Sequence, residues 1–438
     1  MNRPTVDAAR HFPAAQALAE AEARSLSQVA LGMVPSRILV IAYAVRDRIA
    51  RGEPVVEFTV GDFAPGQFQV PAALKAHAVA AYEADQTNYP PANGLLELRQ
   101  AILDHYRRDL GLDYPLDAVV VSSGVRPVLY SAYRCLLDPG EVVLTPVPSW
   151  NNNNFAQLVG AELVTVPSRP EDAFMPTAEA LAPHIGKARL LVINSPLNPA
   201  GTVITRPQME ALCDLVLTEN RRREAAGERL LYLVYDQVYR MLTFGDAEHL
   251  TPVAVRPEMA AYTLFADGIS KGFAATGLRV GWMVAPPHIT DRIRSLMTHV
   301  GAWAPKPEQV ASAALLADDG AISAYLTEFL GALQARLDRL ADAFAAWKAE
   351  GLPVDVIMPQ GAIYLSVKFD LIGTPGVPDE DALVEWLLDR AGCAVIPFSA
   401  FGDDHNPGWV RFSVGAVSLA DIDACLARLG PALQAVRG

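Results

Sequence analysis

Between about Leu116 and Val284 seven short β-rich runs recur: AVVVS, EVVLTP, ELVTVP, RLLVIN, RLLYLVYD, YTLFAD and RVGWMVA, with polar or helix-patterned chain between them. Near-continuous apolar strands need cover on both faces, so this rhythm predicts an α/β domain built on a largely parallel sheet. Such sheets bind ligands at the carboxyl ends of their strands. There the sequence places its least ordinary residues: SSGVRP after the first run, PVPSW after the second, NSPLNPAG after the fourth and DQVY after the fifth. Strand periodicity and chemistry point to one rim.

A chain of 438 residues is too long for one core of ordinary size, which predicts two domains sharing a cleft. From about Pro307 to Glu350 apolar positions recur three and four apart, predicting one long helix that leads out of the sheet domain. Beyond it VDVIMP, AIYLSVKF, CAVIPF and WVRFSV read as strands of a smaller α+β domain, to which part of the first 75 residues contributes. The expected division is 1–75 for an N-terminal arm and the first part of the small domain, 76–320 for the large domain, and 321–438 for the rest of the small domain. The polar run Asn151 to Asn154 is expected to cap or turn the chain after Trp150.

Acidic residues outnumber basic ones by 49 to 36, a formal charge of −13, which argues against nucleic acid or an anionic membrane as partner. Any phosphate must then be held by a local device. Cys135, Cys213, Cys393 and Cys425 are far apart in sequence, without the spacing of a zinc site or a disulfide framework. With no apolar run of signal-peptide or membrane-span length, a cytoplasmic protein is expected.

Several residues near the rim suit particular chemistry. Lys271, in FADGISKGFAATGLRVGW, sits among small residues after a strand, with Arg279 eight residues on. A Schiff-base lysine needs its pKa lowered by a nearby cation or an apolar wall. Asp236 ends a very apolar strand, where an unpaired carboxylate is costly. SSGVRP is a glycine turn entering a helix primed by Pro127, and helix N-termini hold phosphate. Arg411, in WVRFSVGAV, offers the fork that a carboxylate prefers. Taken singly, each has a plainer reading: a surface lysine, a capping aspartate, a tight turn, an ion pair.

Taken together, these segments resemble the fold-type-I, class I and II aminotransferases of the aspartate-aminotransferase type, which use pyridoxal phosphate (PLP). SKGFAATGLRVG matches the family's SKxxxxxGxRxG, NSPLNPAG its NPxNPTG with Ala200 for threonine, DQVY its DExY with Gln237 for the acid, and WVRFS its VRxS. VGDFAPGQF looks like a shortened GxPDFxxP. VIPFSAFG resembles PGxxFG with Phe398 for glycine, which would add bulk at the small-domain face of the cleft. TNYPPANGLLELR is similar to YxxxxGxxxLR. The matches keep the family's order from about Ser36 to Ser413.

The resemblance implies a PLP-dependent transferase fold: a large domain with a mainly parallel seven-stranded sheet flanked by helices, and a smaller α+β domain. It gives Lys271 the tasks of holding PLP and moving the proton. Asp236 would pair with the pyridine nitrogen, and Tyr239 and Asn198 would bond the phenolic oxygen. Gly124, Val125 and Arg126, mainly through their backbone, with Ser270 and Arg279, would hold the phosphate, and Trp150 would stack on the ring. Arg411 would receive the substrate α-carboxylate beside Gly61, Trp150 and Asn198. Tyr89 would reach the neighbouring subunit's site, which requires a homodimer.

The implied activity moves an amino group from an L-amino acid to a 2-oxo acid such as 2-oxoglutarate, by a ping-pong mechanism. A lyase or synthase of the same fold is the nearest alternative. A PLP-binding transcription regulator is more distant, because no helix-turn-helix fits before Ser36. For the side-chain end of the substrate, Arg126 and Lys306 are candidate cations, and Trp303 and Phe398 are candidate walls of an apolar pocket.

Overall fold

The computed structural model describes residues 7–14, 17–150 and 152–437. After a short strand β1 (Val56–Glu57), the chain lays down β2 (Val119–Ser122), β3 (Val142–Val147), β4 (Glu162–Pro167), β5 (Ala188–Asn194), β6 (Tyr232–Asp236), β7 (Thr263–Gly268) and β8 (Gly281–Val284). β2 to β8 form one seven-stranded sheet in the order β2-β8-β7-β6-β5-β3-β4. All seven β-rich runs become its strands. Every pairing is parallel except those of β8, which runs against both β2 and β7.

The apolar runs are near-continuous because alternate residues fill two different cores. Leu191, Leu233, Phe265 and Trp282 pack with Leu98, Ile102 and Tyr106 of helix Leu96–Leu110 on one face. Leu190, Val234, Leu264 and Met283 pack with Val128, Leu129 and Ala132 of helix Val125–Leu136 on the other.

The small domain carries β9 (Val354–Ile357), β10 (Tyr364–Phe369), β11 (Cys393–Ala394), β12 (Ile396–Pro397) and β13 (Trp409–Ser413). Four of these make a sheet in the order β12-β13-β10-β9, and β1 pairs in parallel with β11. Val56 and Glu57 thus pair with this part of the chain. Its core joins Leu333, Leu337, Leu340 and Phe344 of helix Asp319–Ala349 to Tyr364, Val367, Val410 and Phe412 of the sheet.

One expectation needs correction. The tract expected as a single helix from Pro307 to Glu350 is two, Lys306–Leu316 and Asp319–Ala349. The break falls at Asp318, whose carboxylate accepts the Ala321 N–H at 2.9 Å and so starts a new helix where the old one could have continued. Asn152 to Asn154 open helix Asn152–Val159, and Asn151, which precedes it, lies outside the described residues. Among the described residues no helix is long and apolar enough to cross a membrane, and no acid, histidine or cysteine cluster could hold a metal ion.

The carboxyl ends of β2, β5, β6 and β7 meet the small domain across the segment Thr59–Phe63. That segment is tied to the small domain by Ser413 N–H to the Phe58 carbonyl at 3.0 Å and by Ala64 N–H to the Gly415 carbonyl at 3.0 Å. The small-domain core fixes its position, so truncating a wholly buried residue there should be felt. Leu340→Ala is expected to cost about 2–5 kcal/mol in chemical denaturation; a loss well under 1 kcal/mol would mean that the long helix is not packed as described.

Candidate active site

Lys271 lies in the single turn Ile269–Gly272 that follows β7. Its amine donates to the Gly61 carbonyl at 2.6 Å and sits over the rings of Tyr239 (5.7 Å) and Phe63 (6.0 Å). Burial lowers its pKa to about 8; Arg411, Arg126 and Arg279 push the same way, and Asp62 opposes them. An amine that loses its proton this readily is available as a nucleophile and base near neutral pH.

Beside it the backbone forms a cradle. Gly124 has φ +80° and precedes helix Val125–Leu136; a Cβ there would fall 2.1 Å from Nη2 of Arg279. Arg279, itself at φ +56°, donates to the carbonyls of Thr276 (2.7 Å) and Ser123 (3.3 Å). Gly281 lets β8 approach equally closely, because its Cβ would stand 2.5 Å from the Gly124 carbonyl carbon. Helix N–H groups, a guanidinium and the buried Ser270 thus converge where side chains are excluded, a set that suits a phosphate dianion.

Asp236 ends β6, in register with Asn194 of β5 and Ala266 of β7. Its carboxylate accepts the Val238 N–H at 3.2 Å. Burial raises its pKa to about 7, helped by Asp267 and opposed by that hydrogen bond and by Lys271. A carboxylate so enclosed and so sparsely satisfied calls for a cation, and a protonated pyridine nitrogen supplies one.

Arg411, on β13, is 1% exposed. Its Nη1 donates to Asn198 Oδ1 at 2.9 Å and its Nη2 to the Thr59 carbonyl, while the guanidinium lies over Tyr364 (4.6 Å) and Phe401 (4.9 Å). Nε has no partner, and no acid among the described residues forms an ion pair with this side chain. Burial lowers its pKa, and the nearby tyrosines Tyr364 and Tyr239 counter that. Tyr364 also shares a proton with Tyr239, their hydroxyl oxygens 2.6 Å apart. Gly61 is small for the same reason: a Cβ there would meet the Tyr364 hydroxyl at 2.5 Å.

The structure brings Lys271, Gly61, Asp236, Tyr239, Asn198, Arg411, Gly124 and Arg279 into one cleft, with Val125 and Ser270 at its phosphate end. Arg126 stacks on Trp150 at 4.7 Å and makes no hydrogen bond to a described residue; burial and Arg279 lower its pKa. Tyr89 is outside this cluster, 83% exposed, with its ring edge-on to Trp303 at 5.3 Å. Lys306 is occupied by Asn88 at 2.6 Å on the same outer surface. Phe398 does not line the cleft: it is fully buried against Phe174 and Trp409, and Phe401, three residues on, reaches Arg411 instead.

Sequence reasoning passed over Tyr364, Phe401 and Asp62. Asp62 accepts the Thr276 hydroxyl at 2.6 Å, joining the Gly61 segment to the loop that carries Arg279. Tyr364 sits in a strand whose apolar pattern is that of ordinary core, and its hydroxyl was the one signal that it needed a polar partner.

The family described as aminotransferase class I and II matches residues 53–429. The aspartate/prephenate aminotransferase of Thermus thermophilus is 30% identical over 86% of this chain and 93% of its own. The bifunctional aspartate aminotransferase and glutamate/aspartate-prephenate aminotransferase of Petunia hybrida is 29% identical over 94% of this chain and 84% of its own. Among solved structures, aspartate aminotransferase from Thermus thermophilus with maleate superposes with a TM-score of 0.83 at 28% identity, covering 93% of this chain and all of that one. The cradle, the half-buried Asp236 carboxylate and the lysine fit the cofactor of that family, and the chain belongs to the class I and II aminotransferases, PLP-dependent enzymes that move amino groups between amino acids and 2-oxo acids.

Proposed function

We propose that the chain transfers the amino group of a dicarboxylic L-amino acid such as aspartate to a 2-oxo acid such as 2-oxoglutarate, by a ping-pong mechanism. The observation that carries this is Arg411, a fully buried guanidinium with no acid paired to it among the described residues. Such a group is costly until an anion arrives, and a substrate α-carboxylate is the anion every amino and oxo acid brings. Arg126 is a second guanidinium without a hydrogen-bond partner among the described residues, and both lie close enough to Lys271 to lower its proton affinity. Two such cations suit two carboxylates. The relatives named for aspartate and the solved relative with maleate, a dicarboxylate, support the same substrate class.

In this reading PLP, when bound, supplies the electron sink that makes the substrate α-proton acidic. The backbone at Gly124, Val125 and Arg126, with Ser270 and Arg279, would hold its phosphate, Trp150 would cover the ring, and Asp236 would keep the ring nitrogen protonated. Tyr239 and Asn198 donate to its phenolic oxygen. Lys271 would hold the cofactor and, with its amine free, would serve as the base that takes the substrate α-proton and gives it back. Arg411 meanwhile orients the α-carboxylate. Asn198 already touches Arg411, so the carboxylate receptor and the group facing the phenolic oxygen are mechanically joined.

The working unit in this reading is a homodimer, each site completed by Tyr89 of its neighbour. The outward-facing Tyr89 and the exposed Leu39, Val40 and Tyr43 of helix Arg37–Ala50 support it. Four unpaired cysteines fit a reducing compartment such as the cytoplasm.

Substrate specificity is tested with single amino acids in the absence of an oxo acid, following the visible band of the cofactor. Lys271→Ala should retain cofactor with negligible turnover. Arg126→Gln should lower kcat/KM for aspartate by about 10–100-fold and leave alanine within about threefold, the loss expected when one partner of a charge-assisted pair is removed. Equal losses for both donors would move the second carboxylate site away from Arg126.

The lysine also predicts a pH dependence. In the cofactor-free protein the rate of PLP uptake should rise with pH about a midpoint near 8, where Lys271 is half neutral. A rise continuing towards 10.5, the ordinary lysine value, would contradict its burial. Between those two values the unfolded lysine binds a proton that the folded one does not, so this group's contribution to stability increases as pH rises through that window.

A further inference from the structure

Asp236 has a second carboxylate behind it. Successive strand residues face opposite ways, so Asp267, one past the Ala266 that pairs with Asp236, turns to the other face of the sheet. There it meets Arg240 in an ion pair, Nε to Oδ2 2.6 Å, with side chains only 5% and 3% exposed. Asp267 Oδ1 accepts the Gly268 N–H at 2.7 Å. The other groups facing the pair come from two elements. Helix Leu96–Leu110 contributes Tyr106, Asp109 (3.8 Å from Arg240), His105 and Arg108. The loop after β6 contributes Gln237 and His249.

The orientation of the Gln237 amide sets the hydrogen-bond directions in this network. Trp282 Nε1 can only donate, and it lies 3.2 Å from the Tyr106 hydroxyl; the Gln237 amide nitrogen donates to the same oxygen at 3.0 Å. The single proton of Tyr106 therefore goes to Asp267 Oδ2 at 3.2 Å, which requires an ionised Asp267. Gln237 Oε1 accepts from His249 Nε2 at 3.1 Å, leaving Nδ1 without a partner. His249 and His105 stay neutral, held down to about 3 and about 2 by burial and by Arg240. Two anions and two cations remain, Asp267 with Arg240 and Asp109 with Arg108, and they cancel.

We infer that Arg240 and Asp267 are positioning residues for the transfer reaction, a balanced pair that keeps the face behind Asp236 neutral so that Asp236 alone sets the charge offered to the cofactor's ring nitrogen. The inference rests on the role given to Asp236 above. It also accounts for Gln237, where the family pattern has an acid. A glutamate there could not donate to Tyr106, and it would add a negative charge that Arg240, already paired, could not neutralise.

The test is the pH titration of the cofactor's visible band in three holoenzymes: parent, Asp267→Asn, and Arg240→Gln/Asp267→Asn. Asp267→Asn leaves Arg240 uncompensated, and its positive charge should lower the midpoint by about half to one pH unit, as expected for one charge acting over about 10 Å through protein. The double variant loses the same hydrogen bonds and more, yet is neutral again, so its midpoint should return to within about 0.2 unit of the parent. A purely structural role predicts the opposite order, with the double variant at least as far displaced. An unmoved midpoint in Asp267→Asn, or no recovery in the double, overturns the inference. If Asp267→Asn does not fold, Gln237→Glu takes its place and should raise the midpoint; no rise is equally decisive against it. A parent without any titrating visible band would instead remove the reading of Lys271 and Asp236 on which the inference stands.

Discussion

Charge buried without its counter-charge is the constraint on which this structure turns. Among the described residues Arg411 is enclosed with no acid, Arg126 has no hydrogen-bond partner, and Arg279 bonds only to backbone carbonyls, while Lys271 gives up its proton early among them. Facing them, Asp236 is pushed towards neutrality. Such an arrangement is unfavourable in the protein alone and becomes favourable once a phosphate, a protonated ring nitrogen and a carboxylate complete it. The ligands then contribute to folding stability, since whatever binds only the folded state stabilises it.

The fold holds this arrangement by bringing backbone closer than side chains permit. At Gly124 and Gly281 two loops approach until a single methyl would displace Arg279 or the opposing chain. At Gly61 the same restriction is imposed from the small domain, by the hydroxyl of Tyr364. The cleft is shaped by where Cβ atoms are missing as much as by the residues that line it.

How much of this could be read from the sequence follows from the range of each interaction. The seven strands were legible because burial on both faces writes a continuous apolar run into each of them, and the lysine, aspartate and arginine of the site were legible because each belongs to a compact local pattern. Pairings across the fold were not. Arg240 and Asp267 stand 27 positions apart and meet because β6 and β7 are neighbours. Phe398 and Phe401 occupy one short turn, and which of them faces the cleft depends on how that turn packs against Phe174 and Trp409. The break at Asp318 was misread because a helical apolar pattern continues across it, whereas one carboxylate bond to the chain three residues on is enough to restart the helix.

Tyr364 shows how the two domains are joined at the reacting centre. It stands at the start of β10 in the small domain, under the guanidinium of Arg411 and within hydrogen-bond reach of Tyr239. If Tyr239 gives its proton to the phenolic oxygen of the cofactor, the proton between the two hydroxyls has to come from Tyr364. That donation polarises Tyr239 and strengthens the bond it makes in turn. A shift of the small domain when a carboxylate docks on Arg411 would then be felt at the cofactor by two routes, through Asn198 and through Tyr364 to Tyr239. The small-domain strands thus shape the substrate end of the cleft and also bear on the electronic state of the centre they close over.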